Sequence, residues 1–374
     1  MIYQEYLNKI KEIQKSLLDF LESENDVEEN FQNLIFHLVE HDIRSSRQEM
    51  KIFLYLISKI VKNHNRESNF FEKIKKILQY LKDDIKSNLS NYEIFKIFKS
   101  NKIILLFCIQ NEILNFNHSI YLYLIKKKFD LFFQTEILDF IKQQNNQLRY
   151  QHMANKLSAK PDDDFNEKRN LGENDNYISK IIREDLIEEF ITYVNQNGYS
   201  LNSTIQPSIY ETNSLLIKKE PSLIEYAAFF GSIQIFKYLY NNGVKLTPSL
   251  WIYGIHGFCE EMIHILEEKK IKPSDKTYEE CLKESIKCHH NGIANYIINN
   301  LLKGKIEKRN EVSNFENNLY SYGFHYHNYL FLPDDENKSH FIFHYACKYD
   351  YFTLVDFLYK TKKTNLYEES ILKS

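Results

Sequence analysis

The segment Ser222–Lys245 reads SLIEYAAFFGSIQIFKYLYNNGVK and carries the clearest structural signal in the sequence. Glu225 lies three residues after Ser222, a spacing that is typical of a capping box at the start of a helix. Gly231 stands between two apolar stretches, where glycine can adopt the left-handed conformation that ends a helix. Gly243 closes the second stretch in the same way. The segment therefore predicts two short helices joined by a tight turn.

The same pattern recurs elsewhere in the chain. Residues 341–359 read FIFHYACKYDYFTLVDFLY. Ala346 of this copy aligns with Ala227. Leu358 aligns with Leu239, on the apolar face of the second helix. Weaker copies with the same helix–turn–helix rhythm cover residues 181–198 and begin near Ser249 and Cys281.

The small side chains of Ala227 and Ala228 predict that a neighbouring helix approaches the first helix closely. Each predicted pair has apolar residues on more than one side, so that a stack of pairs can bury them but a single pair cannot. The chain has only 9 Gly and 6 Pro, whereas sandwiches and barrels need many turns that draw on both. We therefore predict an all-α fold, a helical-repeat solenoid of stacked helix pairs.

Ser222, the pair Ala227-Ala228 and Gly231 follow the ankyrin consensus, with Ser in place of its Thr and Glu225 in place of its His. In the last copy, His344 occupies the position of the family His. The chain thus resembles a divergent ankyrin-repeat protein. The resemblance implies that His344 has a structural role, bonding between loop backbones.

The resemblance is closest in kind to the large ankyrin-repeat families of single-celled parasites, in which a helical domain of unknown function precedes the repeats. It implies an ankyrin-like C-terminal half that binds a partner protein. The 27-residue step from Ser222 to Ser249 is shorter than the about 33 residues of an ankyrin repeat. We therefore expect the β-hairpins between helix pairs to be reduced or absent.

Composition and periodicity divide the chain into five parts. The interval after residue 154 changes character, because it holds Pro161, the acidic run 162–164 and few apolar residues, as linkers do. The predicted parts are an N-terminal divergent helical-repeat region at 1–154, a polar linker or long loop at 155–176, degenerate ankyrin-like repeats at 177–303, an irregular insertion at 304–340, and a near-consensus repeat with a C-terminal cap at 341–374.

Charge and composition argue against several functional classes. The net charge is −3, without the basic excess of a nucleic-acid-binding protein. The longest apolar run, Ile103–Ile109, is far shorter than the roughly 20 residues of a membrane helix. The five cysteines are odd in number and irregularly spaced, which is typical of reduced thiols in the cytoplasm. The sequence has no phosphate-binding loop and no nucleophile elbow, so we predict no cofactor and no catalytic residues. We also predict a monomer.

The sharpest alternative is a metal-binding or enzymatic site formed by Cys281, Cys288, His289 and His290. Zinc fingers space their paired cysteines more closely than the seven residues that separate Cys281 from Cys288. In the repeat register, the two histidines take the places of the turn residues of the first copy. We therefore favour structural roles for all four residues and predict no metal.

The favoured function is a non-catalytic protein–protein interaction module, an ankyrin-type scaffold or adaptor. Its partner, an unidentified protein, would be held by the concave face and by loop tips near Lys219–Ser222, Lys245–Pro248 and Lys272–Lys276. Aromatic side chains off the core face favour such contacts, and Tyr240, Trp251 and Tyr253 are candidates. A passive structural fragment without a specific partner is the third hypothesis.

Overall fold

The computed structural model describes residues 3–64, 66, 69–144, 147–302, 312–334 and 339–360. Within these residues the regular structure is helical, and strand-like pairing is confined to an isolated antiparallel bridge between Thr204 and Ser222. The predicted all-α class is therefore confirmed. Among the helices of the described residues, none combines the length and the apolar character needed to cross a membrane.

Most helices of the described residues are short. In chain order they are α1 Tyr3–Glu22, α2 Val27–Glu40, α3 Arg47–Asn63, α4 Phe70–Tyr80, α5 Lys82–Asn88, α6 Asn91–Phe98, α7 Lys102–Gln110, α8 His118–Lys126, α9 Gln134–Gln143, α10 Gln151–Lys156, α11 Phe165–Leu171, α12 Tyr177–Arg183, α13 Ile187–Gln196, α14 Ser214–Lys219, α15 Leu223–Phe230, α16 Ile233–Asn241, α17 Leu250–His256, α18 Glu260–Glu268, α19 Glu279–Lys287, α20 Asn291–Tyr296, α21 Val312–Tyr326, α22 Ser339–Lys348 and α23 Phe352–Lys360. Two 3₁₀ turns cover Gln147–Tyr150 and Tyr329–Phe331, and a π-helical turn covers Ile297–Leu302.

Internal contacts divide the described residues into two compact units. The composite unit comprises those of 1–88 together with those of 246–374, and the central unit comprises those of 89–245. These limits differ from the predicted boundaries at 154, 176, 303 and 340. The first 88 residues share a unit with the C-terminal helix pairs, and residues 89–154 belong to the other unit.

The interval 155–176, predicted as a polar linker or long loop, carries α11 of the central unit. Arg169 on this helix is 2% exposed, and its guanidinium lies 2.7 Å from the Glu136 carboxylate. The buried ring of Phe165 lies 4.6 Å from the guanidinium carbon. Part of the interval therefore contributes to the core of its unit.

The predicted insertion at 304–340 carries α21 and the 3₁₀ turn at Tyr329–Phe331 in its described part. The predicted last repeat forms α22 and α23, as a helix pair. Residues 303–311, 335–338 and 361–374, which include the predicted C-terminal cap, lie outside the described residues.

The turns within helix pairs share one geometry. Gly231, at φ 67°, separates α15 from α16. His289, at φ 61°, and Asp350, at φ 64°, take the same place between α19 and α20 and between α22 and α23. In each turn the next backbone N–H donates to the carbonyl five residues before it, which is the hydrogen bond that closes a Schellman motif. Residues other than glycine therefore hold the left-handed position in two of these turns.

A second feature links consecutive pairs within each unit. The residue after the left-handed position donates a side-chain hydrogen bond to a carbonyl near the end of the preceding first helix. Each accepting carbonyl lies three residues before a left-handed residue of its own turn. The bonds run from Ser232 Oγ to Ile182 O (2.5 Å) in the central unit, and from His290 Nδ1 to Ile255 O (2.7 Å), Asn328 Nδ2 to Ile286 O (2.9 Å) and Tyr351 Oη to Phe324 O (3.2 Å) in the composite unit.

Helix packing follows the same order. In the central unit, α12 packs against α15 and α13 packs against α16. In the composite unit, α17 packs against α19, α19 against α21, and α21 against α22. Equivalent helices of consecutive pairs are therefore neighbours within each unit.

The N-terminal helices are part of the composite core. Both α1 and α3 pack against α23. Gln14 of α1 is 1% exposed, and its side chain donates to Asn328 Oδ1 at 2.8 Å and accepts from the Tyr329 N–H at 2.6 Å. The N-terminal helices therefore stabilise the turns of the C-terminal pairs through buried polar contacts.

Candidate functional site

Five predicted repeat positions of the central unit lie on α15 or at its two ends. The Glu225 carboxylate accepts hydrogen bonds from the backbone N–H and the hydroxyl of Ser222, both at 2.9 Å. Ala227 and Ala228 are 0% exposed. Gly231 caps α15 in the left-handed conformation. These residues therefore set the start, the contact face and the end of the first helix.

The remaining repeat positions divide into core and surface. Leu239 is 0% exposed, and Gly243, at φ 86°, follows the end of α16. In the last pair, Ala346 and Leu358 are buried. His344 is exposed on α22. The side chain that the resemblance expects to bond loop backbones therefore lies at the surface.

The four residues of the predicted metal alternative do not share one site. Cys281 is buried, and burial raises the pKa of its thiol. His290 is committed to the bond between pairs, and His289 Nε2 lies 3.3 Å from the carbonyl oxygen of His327. Cys288 alone of the four joins a group of converging ligand atoms among the described residues.

That group is a buried chain of polar side chains between α17 and α19 in the composite unit. His256 Nε2 lies 2.5 Å from Glu284 Oε1, and His256 Nδ1 lies 3.6 Å from Cys288 Sγ. Lys287 donates to the same carboxylate oxygen at 2.6 Å. Glu284 and Cys288 face the same neighbour because residues four apart share a face of a helix.

The surroundings of this group keep the Glu284 carboxylate charged and the Cys288 thiol neutral. Burial by itself raises the pKa of Glu284, but the charges and hydrogen bonds of His256 and Lys287 outweigh it and hold the pKa at about 2. Burial, with the Glu284 charge, raises the pKa of Cys288 well above its ordinary range. A nucleophilic or metal-binding cysteine acts as the thiolate, and Cys288 is 0% exposed. The thiol, the imidazole and the carboxylate therefore follow one another as a nucleophile and its base would. The thiol, however, is neither accessible to solvent nor ionised.

The group formed by His256, Glu284 and Cys288 also offers few ligands to a metal ion. His256 Nε2 is already engaged by Glu284, which leaves Nδ1 and the Cys288 sulfur as a pair of inner ligands. Structural zinc sites use four protein ligands. The arrangement fits a hydrogen-bonded core contact better than a metal centre.

Sequence reasoning missed His256 and Glu284. A signal for them existed, since the two residues are 28 positions apart, which is about one repeat step. Residues one step apart on first helices are neighbours when the pairs stack.

A row of partly exposed rings covers α21, α22 and the residue after α22. We define the aromatic strip as Tyr320, Tyr322, Phe341, Tyr345 and Tyr349. Ring centroids lie 5.8 Å apart for Tyr320 and Phe341, 4.4 Å for Phe341 and Tyr345, and 6.1 Å for Tyr345 and Tyr349. Four of the five rings, those of Tyr320, Phe341, Tyr345 and Tyr349, thus form a contiguous run, and all five are only partly covered by the fold.

Two lysines flank the aromatic strip. Lys283 Nζ lies 5.8 Å from the ring centroid of Tyr322. Lys348 Nζ lies 5.5 Å from the rings of Tyr345 and Tyr349. By contrast, the predicted contact residues Trp251 and Tyr253 are 0% and 3% exposed. The prediction of partner contacts at these two positions is wrong, because both rings belong to the core.

The predicted tip at Lys272–Lys276 is a fixed turn. Burial alone raises the pKa of Asp275, but hydrogen bonds from the backbone and from the Thr277 hydroxyl lower it below its usual value. The Thr277 hydroxyl donates at 2.6 Å. Lys272 and Lys276 are exposed on either side, so the turn presents two cations on a rigid support.

Comparisons with protein-family models, with curated proteins and with solved structures found no match for this chain.

Proposed function

We propose that the chain is a non-catalytic protein-binding module, built from divergent ankyrin-type helix pairs stacked as a solenoid. The observation that carries the proposal is the hydrogen bond between consecutive pairs, which recurs from Ser232, His290, Asn328 and Tyr351. A recurring contact of this kind supports a stack in which each pair meets its neighbour in the same way. Stacks of this type present first helices and inter-pair tips as an extended binding surface.

The aromatic strip is the partner-binding surface of the composite unit in this proposal. Aromatic rings offer a large contact area at a low cost in side-chain entropy, and Tyr is enriched among residues that dominate binding energy. The lysines beside the strip and at the Lys272–Lys276 turn complement carboxylates. The expected partner is therefore a protein segment that combines apolar side chains with acidic ones.

The buried chain at Cys288 supports the non-catalytic part of the proposal. Its thiol is protonated and closed off from solvent, so its order of groups serves the packing of α17 on α19. The exposed chemistry of the strip and the tip includes rings and cations, which suit recognition.

The test compares affinity capture from cells for the wild-type chain, a strip variant and a matched control. The strip variant carries Tyr320→Ser, Tyr322→Ser and Tyr345→Ser. The control carries Tyr92→Ser and Tyr177→Ser, which remove two exposed tyrosines of the central unit, 71% and 53% exposed. Quantitative mass spectrometry identifies the captured proteins, and melting curves establish that each variant is folded.

We expect at least one protein to be captured by the wild type and the control but lost from the strip variant. Its purified form should then bind the wild-type chain directly, and charge reversal at Lys272 and Lys276 should weaken that binding. Equal recovery with the folded strip variant would count against the strip as the binding surface.

A further inference from the structure

The most suggestive group outside these features is a pair of histidines at the end of α2. The sequence from 37 to 41 reads HLVEH, so that His37 lies in the last turn of α2 and His41 directly follows its last residue. Residues four apart lie on the same face of a helix. The two rings are stacked, with centroids 5.8 Å apart and planes inclined by 12°. Two imidazoles are therefore held side by side.

A carboxylate from the neighbouring helix completes the group. Glu12 lies on α1, which packs against α2, and its Oε2 is 3.1 Å from His41 Nε2. One ligand atom from each of Glu12, His37 and His41 lies within 4.8 Å of the others. Their side chains are 54%, 21% and 16% exposed respectively. The group is therefore compact, and an ion from solvent can reach it.

Glu40 adds an outer carboxylate. His37 Nδ1 is buried without a hydrogen-bond partner, and it lies 3.5 Å from Glu40 Oε2. Histidine ligands of metal ions commonly turn their second ring nitrogen towards a carboxylate, which fixes the ring orientation. A small movement of the exposed Glu40 side chain would provide that contact.

We propose that Glu12, His37 and His41 form a surface binding site for Zn²⁺. Imidazole nitrogens and a carboxylate oxygen suit zinc, and three protein ligands leave one tetrahedral position open for water or another ligand. Glu12 also lines a cleft of about 440 Å³, together with Lys15, Phe258 and Asn291. The site is therefore adjacent to a cleft through Glu12. This site is independent of the aromatic strip and of the proposed partner.

The test is calorimetric titration of the full chain with zinc chloride under reducing conditions. Cys347 is exposed, so it is replaced by Ser in every sample to remove a competing thiol. The test variant carries His37→Gln and His41→Gln. The matched control carries His264→Gln, which removes an exposed histidine that has Glu267 nearby on the same helix.

We expect one equivalent of zinc to bind, to be lost from the double variant and to persist in the control. Glu12→Gln should weaken binding, and Glu40→Gln should weaken it about 10–100-fold, as the loss of an outer carboxylate does. Retention of the bound equivalent by the folded double variant would overturn the proposal. So would its loss from a Cys288→Ser variant with His37 and His41 intact, or no binding by the parent chain.

Discussion

Acid should destabilise the composite unit through His289. This side chain is 1% exposed, at a left-handed turn position. Burial lowers the pKa of His289 to about 3, and the nearby His64 contributes in the same direction. Its Nε2–H donates to the carbonyl oxygen of His327, and its Nδ1 has no hydrogen-bond partner. The fold therefore holds a buried imidazole in its neutral form.

The sign and size of the effect follow from the two pKa values. An unfolded histidine has a pKa of about 6.5. Above that pH both states are neutral, whereas below it only the unfolded chain takes up a proton, so stability is lost as pH falls from about 6.5 towards the folded pKa of about 3. At about 1.36 kcal/mol per pKa unit, the loss is about 2 kcal/mol at pH 5 and about 4 kcal/mol at pH 3, and it levels off near 5 kcal/mol below that pH. Burial also lowers the pKa of His290 and His327, which act in the same direction.

The variant His289→Asn isolates this contribution. Asparagine tolerates the left-handed conformation better than most residues, and its side chain does not titrate. The single tryptophan, Trp251, is buried in the composite unit, so its fluorescence reports the unfolding of that unit. Urea denaturation at pH 7.5 and 5.0 gives the acid-induced loss of unfolding free energy for each protein.

We expect the loss to be about 2 kcal/mol smaller for His289→Asn than for the wild type. A His264→Asn control, which removes a side chain that is 67% exposed, should lose as much as the wild type. If His289→Asn and the wild type show the same acid-induced loss, the burial argument for His289 is refuted. A change in stability that is equal at both pH values would reflect only the lost hydrogen bond.

Three further predictions concern packing and access. Ala228→Leu should overpack the first helix of its pair and lower stability by about 1–3 kcal/mol, and an unchanged melting curve by circular dichroism would contradict the packing at this position. Arg169→Ala should remove the cation from the Glu136 carboxylate, which keeps only weaker support from the Gln110 amide, and should cost about 3–5 kcal/mol in chemical denaturation, whereas a substitution in a solvated linker would cost almost nothing. Thiol labelling followed by peptide mapping should modify the exposed Cys347 rapidly and Cys288 only on unfolding, because the Cys288 thiol is both buried and protonated; rapid labelling of Cys288 would contradict its burial.

Much of the helix-pair pattern could be predicted from sequence because it depends on local chemistry. Ser222 and Glu225 cap a helix wherever they occur at this spacing, and Gly231 ends one because it lacks a Cβ. The register carried this reasoning to His289 and Asp350, which take the left-handed conformation without being glycine. Local signals were sufficient there because the turn needs a conformation, which more than one residue type can adopt.

The placement of the N-terminal helices could not be predicted in the same way. Their apolar stripes predict that one side of each helix is buried, but they do not indicate which helix it packs against. The contact is fixed by pairs such as Gln14 and Asn328, more than 300 residues apart in the chain, and neither residue carries a sequence signal. The predicted linker differed for a related reason, since a polar residue such as Arg169 reads as solvated until its buried partner is known.

The role of single aromatic residues was equally hidden. The sequence of α17, LWIYGIH, is apolar around its whole circumference, which indicates a helix buried on all sides. Trp251 and Tyr253 follow that rule, whereas the tyrosines of α21 lie on a helix with exposed asparagines and remain partly exposed. The average polarity of the helix was therefore a better guide to exposure than the identity of the aromatic residue.

The bond between consecutive pairs suggests why a stack can persist while its sequence departs from a consensus. The contact requires a donor that follows a left-handed residue and reaches one carbonyl. Ser232, His290, Asn328 and Tyr351 supply that donor from a hydroxyl, an imidazole, an amide and a phenol. Each accepting carbonyl also accepts the backbone N–H three residues after it, so the side-chain bond is a second contact, worth about 0.5–1.5 kcal/mol. The physical constraint is on the donor and its position. It falls much less on the residue type, so copies that look degenerate in sequence can satisfy the same geometry.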